Sequence, residues 1–249
     1  MVYPFDKFQY ISDFIINNME SGYYHPDFMT TGRKVANSTD FYPPKAFKVY
    51  SISGETLYGL DRFAGHDMWY STPIKQTIKQ GATPQSDLKY IYGGVYKFKN
   101  KDAANFWGTL DKLDARHKWE YNYLGGVYEK QLRELCIKML YQYFNTNVWK
   151  FLSIDAQKAI IKDNYLAANY IYTCWNGSGW VQKFNRIIND SIKDNITDTT
   201  IIDNRLYNIR QASKYPLVRK NGKKLQNLIP KKIKKSNIDQ QIVVKKKNE

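Results

Sequence analysis

The first residues of the chain constrain its fold most strongly, because their apolar side chains recur at the spacing of a helix. Residues three and four positions apart share one helix face, so this pattern predicts a buried stripe. The apolar positions are Phe5, Phe8, Ile11, Phe14, Ile15, Ile16 and Met19. Pro4 suits the first turn, since its missing N–H would be unpaired there, and Gly22 marks the end. We therefore predict a well-buried first helix that ends beside Glu20.

The position of Glu20 in this pattern points to acid chemistry. A carboxyl group on the last turn of a packed helix lies beside apolar side chains, and desolvation there disfavours its charged form. That environment suits a general acid, which has to hold its proton until it protonates a leaving group. The competing interpretation is a solvated helix end, which is the commoner one when no second motif is present.

Most of the remaining chain also carries helical patterning. Helical apolar periodicity covers residues 103–114, 127–149, 154–174 and 181–192. Trp107, Trp119 and Trp149 fall in or near these stretches and are predicted core residues. Two short apolar runs at 89–92 and 95–98 flank a Gly-Gly pair and predict a small hairpin. At 249 residues the chain can bury one large core or two smaller ones.

Three motifs occur in a fixed order along the chain. Residues 20–23 read Glu-Ser-Gly-Tyr, and residues 53–60 read Ser-Gly-Glu-Thr-Leu-Tyr-Gly-Leu. Residues 174–180 read Cys-Trp-Asn-Gly-Ser-Gly-Trp and are followed by Phe-Asn-Arg-Ile-Ile-Asn at 184–189. Together the motifs resemble those of the phage lysozymes of glycoside hydrolase family 108. The order of the motifs carries the resemblance, which covers about residues 4–210.

The resemblance implies a fold and a reaction. The expected fold is predominantly α, an α+β lysozyme-like helical bundle with a small β-hairpin region beside the active-site cleft. Residues 1–213 would form the catalytic domain with a peptidoglycan-binding helical half. The implied activity is that of a muramidase, which cleaves the β-1,4 glycosidic bond between N-acetylmuramic acid and N-acetylglucosamine. Such an enzyme would serve as a phage endolysin or as a virion-associated lysozyme.

The resemblance also assigns catalytic roles. Glu20 would be the general acid, and the hydroxyl of Thr56 would position the attacking water. Asp27 would assist as a base, although Asp40 is a second candidate because a long insertion separates the first two motifs. Ser21 replaces a glycine of the family pattern and keeps the turn plausible. The alternative for Thr56 is an ordinary strand or turn hydroxyl.

Aromatic and amide side chains next to the motifs are the predicted substrate-binding residues. They are Tyr23, Tyr58, Trp175 and Asn176, with Tyr24 also near the expected groove. Tyrosine offers an apolar face and a polar tip, which suits a sugar-binding cleft. The alternative is an amphipathic protein surface, because this chain contains 21 tyrosines.

Neither a metal site nor a cofactor is predicted. The chain has three histidines, His25, His66 and His117, and they are scattered along it. Cys136 and Cys174 both fall within helical patterns and are predicted to be buried free thiols rather than a disulfide. No phosphate-binding glycine loop is present in the sequence. The predicted chemistry therefore uses side chains alone.

Positive charge is concentrated near the carboxyl end. The net charge is +15, and residues 214–249 hold twelve Lys or Arg against two acidic residues. Because like charges without apolar period do not pack, we predict a flexible basic tail over 214–249. Its partners would be anionic: the cell envelope, DNA, or an acidic protein of the phage tail or virion. Nucleic acid remains a partner without a supporting motif, since the chain carries no recognisable base-reading sequence.

The sequence contains no pattern expected of a secretory signal, and no run of 18 apolar residues that predicts a membrane span. We therefore expect the protein to be made in a host cytoplasm. It would reach peptidoglycan, its expected partner, through a holin or as part of a virion. The alternative function is a non-catalytic virion or nucleic-acid-binding protein that retains a lysozyme-like scaffold.

Overall fold

A computed structural model describes most of the helical part of the chain. The described residues are 1–20, 23–24, 56–61, 66–69, 71, 98–111, 128–176 and 178–232. Helices predominate among them, which confirms a predominantly α fold. The predicted hairpin at 89–98 lies outside the described residues except for Phe98. None of the described helices is both long and apolar enough to cross a membrane.

The elements follow one another along the chain in a simple order. The helices are α1 (Phe5–Asn18), α2 (His66–Trp69), α3 (Lys101–Asp111), α4 (Glu129–Tyr143), α5 (Ile154–Lys162), α6 (Asn164–Ile171), α7 (Ser178–Lys193), α8 (Thr199–Gln211) and α9 (Pro216–Lys232). The strands are β1 (Tyr23–Tyr24), β2 (Thr56–Leu57) and β3 (Leu60–Asp61). A π-helical turn at Phe144–Val148 and 3-10 turns at Trp149–Phe151 and Tyr172–Trp175 complete the order.

The chain divides into two compact units. The terminal unit comprises residues 1–19 and 141–249, and the inserted unit comprises residues 20–140. The first helix therefore packs with elements that follow it by more than a hundred residues. Since that division depends on contacts between distant residues, neither composition nor periodicity predicted it.

Helix α1 forms where its apolar spacing predicts a helix. It begins at Phe5 after Pro4, and the Phe8 N–H donates to the Pro4 carbonyl at 3.1 Å. Its buried residues are Phe8, Ile11, Ser12, Phe14, Ile15 and Ile16. The predicted buried helix is confirmed. The helix ends at Asn18, two residues before Glu20, with Met19 as its C-cap.

Helix α6 is the centre of the terminal unit. It packs against α1, α5, α8 and α9, and seven of its eight residues are buried. A short helix that is buried on nearly all sides is typical of a core position. The single helix predicted over 154–174 is wrong, because the chain breaks at Asp163. The Asp163 carboxylate accepts from the N–H groups of Tyr165 and Leu166 at 2.9 and 3.1 Å and thereby starts α6.

An aromatic cluster fixes the amino terminus within the same unit. The Tyr3 ring lies edge-on to Phe144 and Trp149, with ring centroids 5.6 and 5.1 Å apart. The Trp149 indole N–H donates to the Met1 carbonyl at 2.8 Å. Trp149 is buried, as is Trp107 in the inserted unit, so both core predictions are confirmed. Trp119 lies outside the described residues.

A buried carboxylate joins three helices of the terminal unit. Asp203 of α8 accepts hydrogen bonds from Asn169 of α6 and, at 3.4 Å, from Gln226 of α9. Asp203 is 1% exposed, and burial raises the pKa of its carboxyl group from 3.8 to about 6. Desolvation by burial outweighs the hydrogen bonds, which favour the charged form. These hydrogen bonds therefore hold α9 against the core. The Asp203 carboxyl group remains a titratable group within that core.

Arg210 adds a buried cation to this core. Its guanidinium lies over the rings of Tyr172 and Phe184, 4.9 and 4.8 Å from the two centroids, and donates to the Asn169 carbonyl at 3.1 Å. Burial lowers the pKa of Arg210 to about 10, so the side chain still carries its charge at neutral pH. Two aromatic faces partly replace the water that the cation loses.

Helix α9 corrects the predicted tail. Residues 216–232 are helical and pack on α8 and α6, so the prediction of a flexible segment from residue 214 is wrong over this stretch. Leu225 is fully buried. A Cβ built at Gly222 would lie 3.1 Å from Gln211 Nε2 and 3.2 Å from Arg210 Cβ. Apolar residues between the lysines therefore supply a packing face that charge counting overlooked.

The inserted unit has its own aromatic packing. The Trp69 ring stacks on Phe106, with ring centroids 4.9 Å apart, and Trp107 lies edge-on to Trp69 at 5.3 Å.

Both cysteines in the chain are free thiols. Cys136, in α4, is buried as predicted, whereas Cys174 of the terminal unit is partly exposed as a residue. Burial of its sulfur nevertheless raises the pKa of the Cys174 thiol.

Candidate active site

Three short strands in the inserted unit bring the first two motifs together. The sheet has the order β1-β2-β3, and both pairs are antiparallel. Tyr23 lies opposite Leu57, and Tyr24 lies opposite Thr56. Backbone pairing thus places the segment after Glu20 directly beside the segment that contains Thr56. The long insertion between the motifs does not separate them in space.

A tight turn joins β2 to β3. Leu57 pairs with Leu60, and the two residues between them, Tyr58 and Gly59, have φ values of +53° and +74°. Positive φ at both central positions is the pattern of a type I′ turn, in which glycine is common and tyrosine is not. A non-glycine residue in the left-handed region costs about 1–2 kcal/mol. The structure therefore maintains an unfavourable backbone conformation at Tyr58.

The carboxyl group of Glu20 lies against this turn. A Cβ built on Gly59 would lie 2.5 Å from Glu20 Oε2, 2.8 Å from its Cβ and 3.0 Å from its Cδ. These distances are shorter than van der Waals contact, so only a residue without a side chain leaves room for Glu20. Glu20 is itself partly buried. Gly59, which is not among the sequence-predicted site residues, therefore defines one wall around the candidate acid.

Tyr58 anchors the turn to helix α4. Its hydroxyl donates to the Glu129 carbonyl at 3.3 Å, and the Arg133 guanidinium lies 5.6 Å from its ring centroid. Arg133 also forms an ion pair with the Glu129 carboxylate at 2.6 Å. Tyr58 is only 4% exposed, which corrects its predicted role. The ring packs inside the protein and positions the turn instead of offering a face to a sugar.

The other predicted site residues fall into three groups. Tyr23 and Thr56 lie in neighbouring strands of the inserted unit. Asp27, like the second candidate Asp40, lies outside the described residues. Trp175 and Asn176 belong to the terminal unit.

Trp175 and Asn176 lie at the end of a 3-10 turn. The Trp175 ring stacks on Tyr172 with centroids 6.3 Å apart. The Asn176 N–H donates to the Thr173 carbonyl at 2.9 Å and closes the turn. Trp175 is partly exposed. Tyr172 in turn faces Arg210, so Trp175 forms the outer layer of an aromatic and cationic stack.

The asparagines of the third motif have structural partners that the sequence did not reveal. Asn185 accepts from the Tyr170 hydroxyl and donates to the Val148 carbonyl at 3.2 Å. Asn189 donates to the Phe151 carbonyl at 3.0 Å and accepts from the Ser153 N–H at 2.9 Å. Their i, i+4 spacing on α7 is the signal that could have indicated a shared face. Both side chains fasten α7 to the irregular segment at 148–153.

No group of His, Cys, Asp or Glu within the described ranges has the geometry of a metal site. No family model, curated protein or solved structure matches this chain.

The candidate site offers one partly buried carboxyl group, that of Glu20, at a helix end. Beside it lie a glycine wall and a strand that carries a hydroxyl residue.

Proposed function

We propose that this protein is a peptidoglycan hydrolase of the muramidase type, with Glu20 as its general acid. The observation that carries the proposal is the close contact between the Glu20 side chain and Gly59. Two motifs that resemble those of a lysozyme family thereby meet at one carboxyl group. The short antiparallel strands that follow Glu20 also support a lysozyme-like arrangement of the inserted unit.

The proposed reaction is hydrolysis of a β-1,4 glycosidic bond. The Glu20 carboxyl group protonates the departing glycosidic oxygen while an oxocarbenium-like transition state develops on the sugar. Thr56 holds the attacking water, and Asp27 accepts its proton. Partial burial of Glu20 limits competition from bulk water for the same proton. A positioned general acid accelerates such reactions by about 10²–10⁴-fold.

The direct test is substitution of the proposed acid. Glu20→Gln keeps the size of the side chain but has no acidic proton to give, so we expect cleavage of purified peptidoglycan to slow by at least about 100-fold. Turbidity clearing of purified sacculi measures the rate. Glu134→Gln is the matched control, because Glu134 is an exposed glutamate on α4. Equal clearing by the Glu20 variant and the parent protein would remove Glu20 as the acid.

Mass spectrometry of the released muropeptides identifies the bond. A new reducing end on N-acetylmuramic acid is expected for a muramidase. A 1,6-anhydro end would instead indicate a lytic transglycosylase, and a new free amine would indicate a peptidase. Either result would contradict the proposed reaction while leaving the fold unchanged.

The proposed site of action is the bacterial cell wall. A phage virion or a host cytoplasm would be the source of the protein, in keeping with a lysis or entry role. Trp175, which is partly exposed on the terminal unit, is the residue proposed to contact the glycan there, together with Asn176.

A further inference from the structure

Helix α9 presents a basic face to solvent. It contains six Lys or Arg and no Asp or Glu. Gly222 and Leu225 are buried, whereas Lys220, Lys223 and Lys224 are exposed. The apolar side of the helix is thus used for packing, and the charged side is available. We define Lys220, Lys223 and Lys224, together with Lys214 just before the helix, as the basic face of α9.

The helices against which α9 packs leave this charge uncompensated. The only acidic residue of α8 is Asp203, which is buried, and α6 contains no acidic residue. Within the described part of the chain, no carboxylate forms an ion pair with a residue of the basic face. The face therefore attracts anions from outside the protein.

Two exposed apolar side chains lie at the start of the same helix. Leu217 is 66% exposed and Tyr215 is 58% exposed. Leu217, Lys220 and Lys224 follow i, i+3 and i+7 spacing, so they share one side of α9. The Lys214 ammonium lies 5.2 Å from the centroid of the Tyr215 ring. Lysine side chains therefore border the exposed side chains of Tyr215 and Leu217. Exposure of these apolar groups to water is unfavourable.

We propose that the basic face of α9 docks on an anionic phospholipid bilayer, with Tyr215 and Leu217 entering the headgroup region. Lysines gain energy near an anionic leaflet, and tyrosine and leucine favour the boundary between headgroups and acyl chains. A polyanion such as DNA would engage the lysines, but it offers nothing to Leu217. The inference does not depend on the proposed glycosidase activity.

Vesicle sedimentation with the full chain tests the docking. One set of vesicles contains phosphatidylcholine alone, and the other contains phosphatidylcholine and phosphatidylglycerol in equal amounts. We expect the protein to sediment with the mixed vesicles and to stay in solution with the neutral ones, and added salt should weaken the binding. Absence of binding to the mixed vesicles would overturn the proposal.

Three variants test whether vesicle binding depends on α9 and not on the rest of the chain. Lys220→Gln combined with Lys224→Gln should lower partitioning about 30-fold, because each lysine is neutralised next to the membrane. Leu217→Ser keeps the charge and should lower partitioning about tenfold. Lys183→Gln combined with Lys193→Gln makes the same change in net charge on α7, and we expect it to retain binding within about threefold. Circular dichroism checks that each variant keeps its helices.

The variants distinguish a bilayer from a soluble polyanion. If the Lys220 and Lys224 variant weakens both vesicle and duplex DNA binding while Leu217→Ser weakens only vesicle binding, docking on lipid is supported. If Leu217→Ser leaves vesicle binding unchanged, the contact is purely electrostatic and the proposal fails. Equal losses for the α7 control and the α9 variant would also contradict it, since net charge alone would then explain the binding.

Discussion

Glu20 can lie against the turn because residue 59 is a glycine, which has a hydrogen atom where alanine has a methyl group. The space that a Cβ would need is occupied by the Glu20 side chain, and the backbone has the positive φ that glycine tolerates best. Both requirements act on the same residue. At the adjacent Tyr58, burial of the side chain and its hydrogen bond to α4 offset the energetic cost of the positive φ. The turn is therefore built around the candidate acid.

Gly59→Ala should impair the protein in two ways. The left-handed backbone with a Cβ costs about 1–2 kcal/mol of folding free energy. The added methyl group also displaces Glu20, so we expect peptidoglycan clearing to fall more than stability alone explains. Gly108→Ala is the control, because a Cβ there meets nothing within 4 Å. Helix propensity predicts a gain of up to about 1 kcal/mol for it.

Urea unfolding and clearing assays on the two alanine variants give the comparison. A Gly59 variant that is as active as the Gly108 variant would show that the position of Glu20 relative to the turn has no role in activity.

At the scale of elements, the helical periodicity and the observed helix bounds disagree in two places. The helical periodicity over 154–174 is real, yet Asp163 divides the stretch because its carboxylate caps α6. The predicted helix over 127–149 likewise ends early and continues as a π-helical turn. The Val148 carbonyl at the end of that turn accepts from Tyr170 and Asn185, which lie far along the chain. Partners of this kind are not encoded in the periodicity of the segment itself.

Asp163→Ala should destabilise the terminal unit. Its carboxylate caps α6 and also accepts from the Thr199 hydroxyl at 2.5 Å, which connects α6 to the start of α8. Loss of both interactions should lower the free energy of unfolding by about 2 kcal/mol in urea titrations. Asp155→Ala, which breaks only an exposed ion pair with Lys158, should cost at most about 0.5 kcal/mol. Equal effects of the two substitutions would show that the cap is not structural.

At the scale of the whole molecule, the buried carboxylate of Asp203 couples the packing of three helices to pH. The pKa of Asp203 is about 6 in the folded protein, above its ordinary value of 3.8. The folded state therefore binds the proton more tightly than the unfolded chain does. This stabilisation is fully present below pH 3.8 and is lost as the pH rises through about 6.

Asp203→Asn should remove this dependence on pH. We expect the stability of the parent relative to the variant to fall by about 2 kcal/mol between pH 4 and pH 7. The variant can keep the hydrogen bonds with Asn169 and Gln226 if the Gln226 amide rotates, since the Gln226 Oε1 atom has no hydrogen-bond partner among the described residues. Urea unfolding of both proteins across this range measures the difference. A difference that is constant with pH would contradict the raised pKa.

The amino-acid sequence by itself determined the helical character of the chain and the concentration of positive charge near its end. Both are properties of neighbouring residues: the stripe of α1 and the lysines of α9 are visible without any partner. The tertiary structure alone decided that Gly59 lies against Glu20 and that α9 packs on the core. Each of these depends on residues far apart in sequence, whose contact energies act only after the chain has folded.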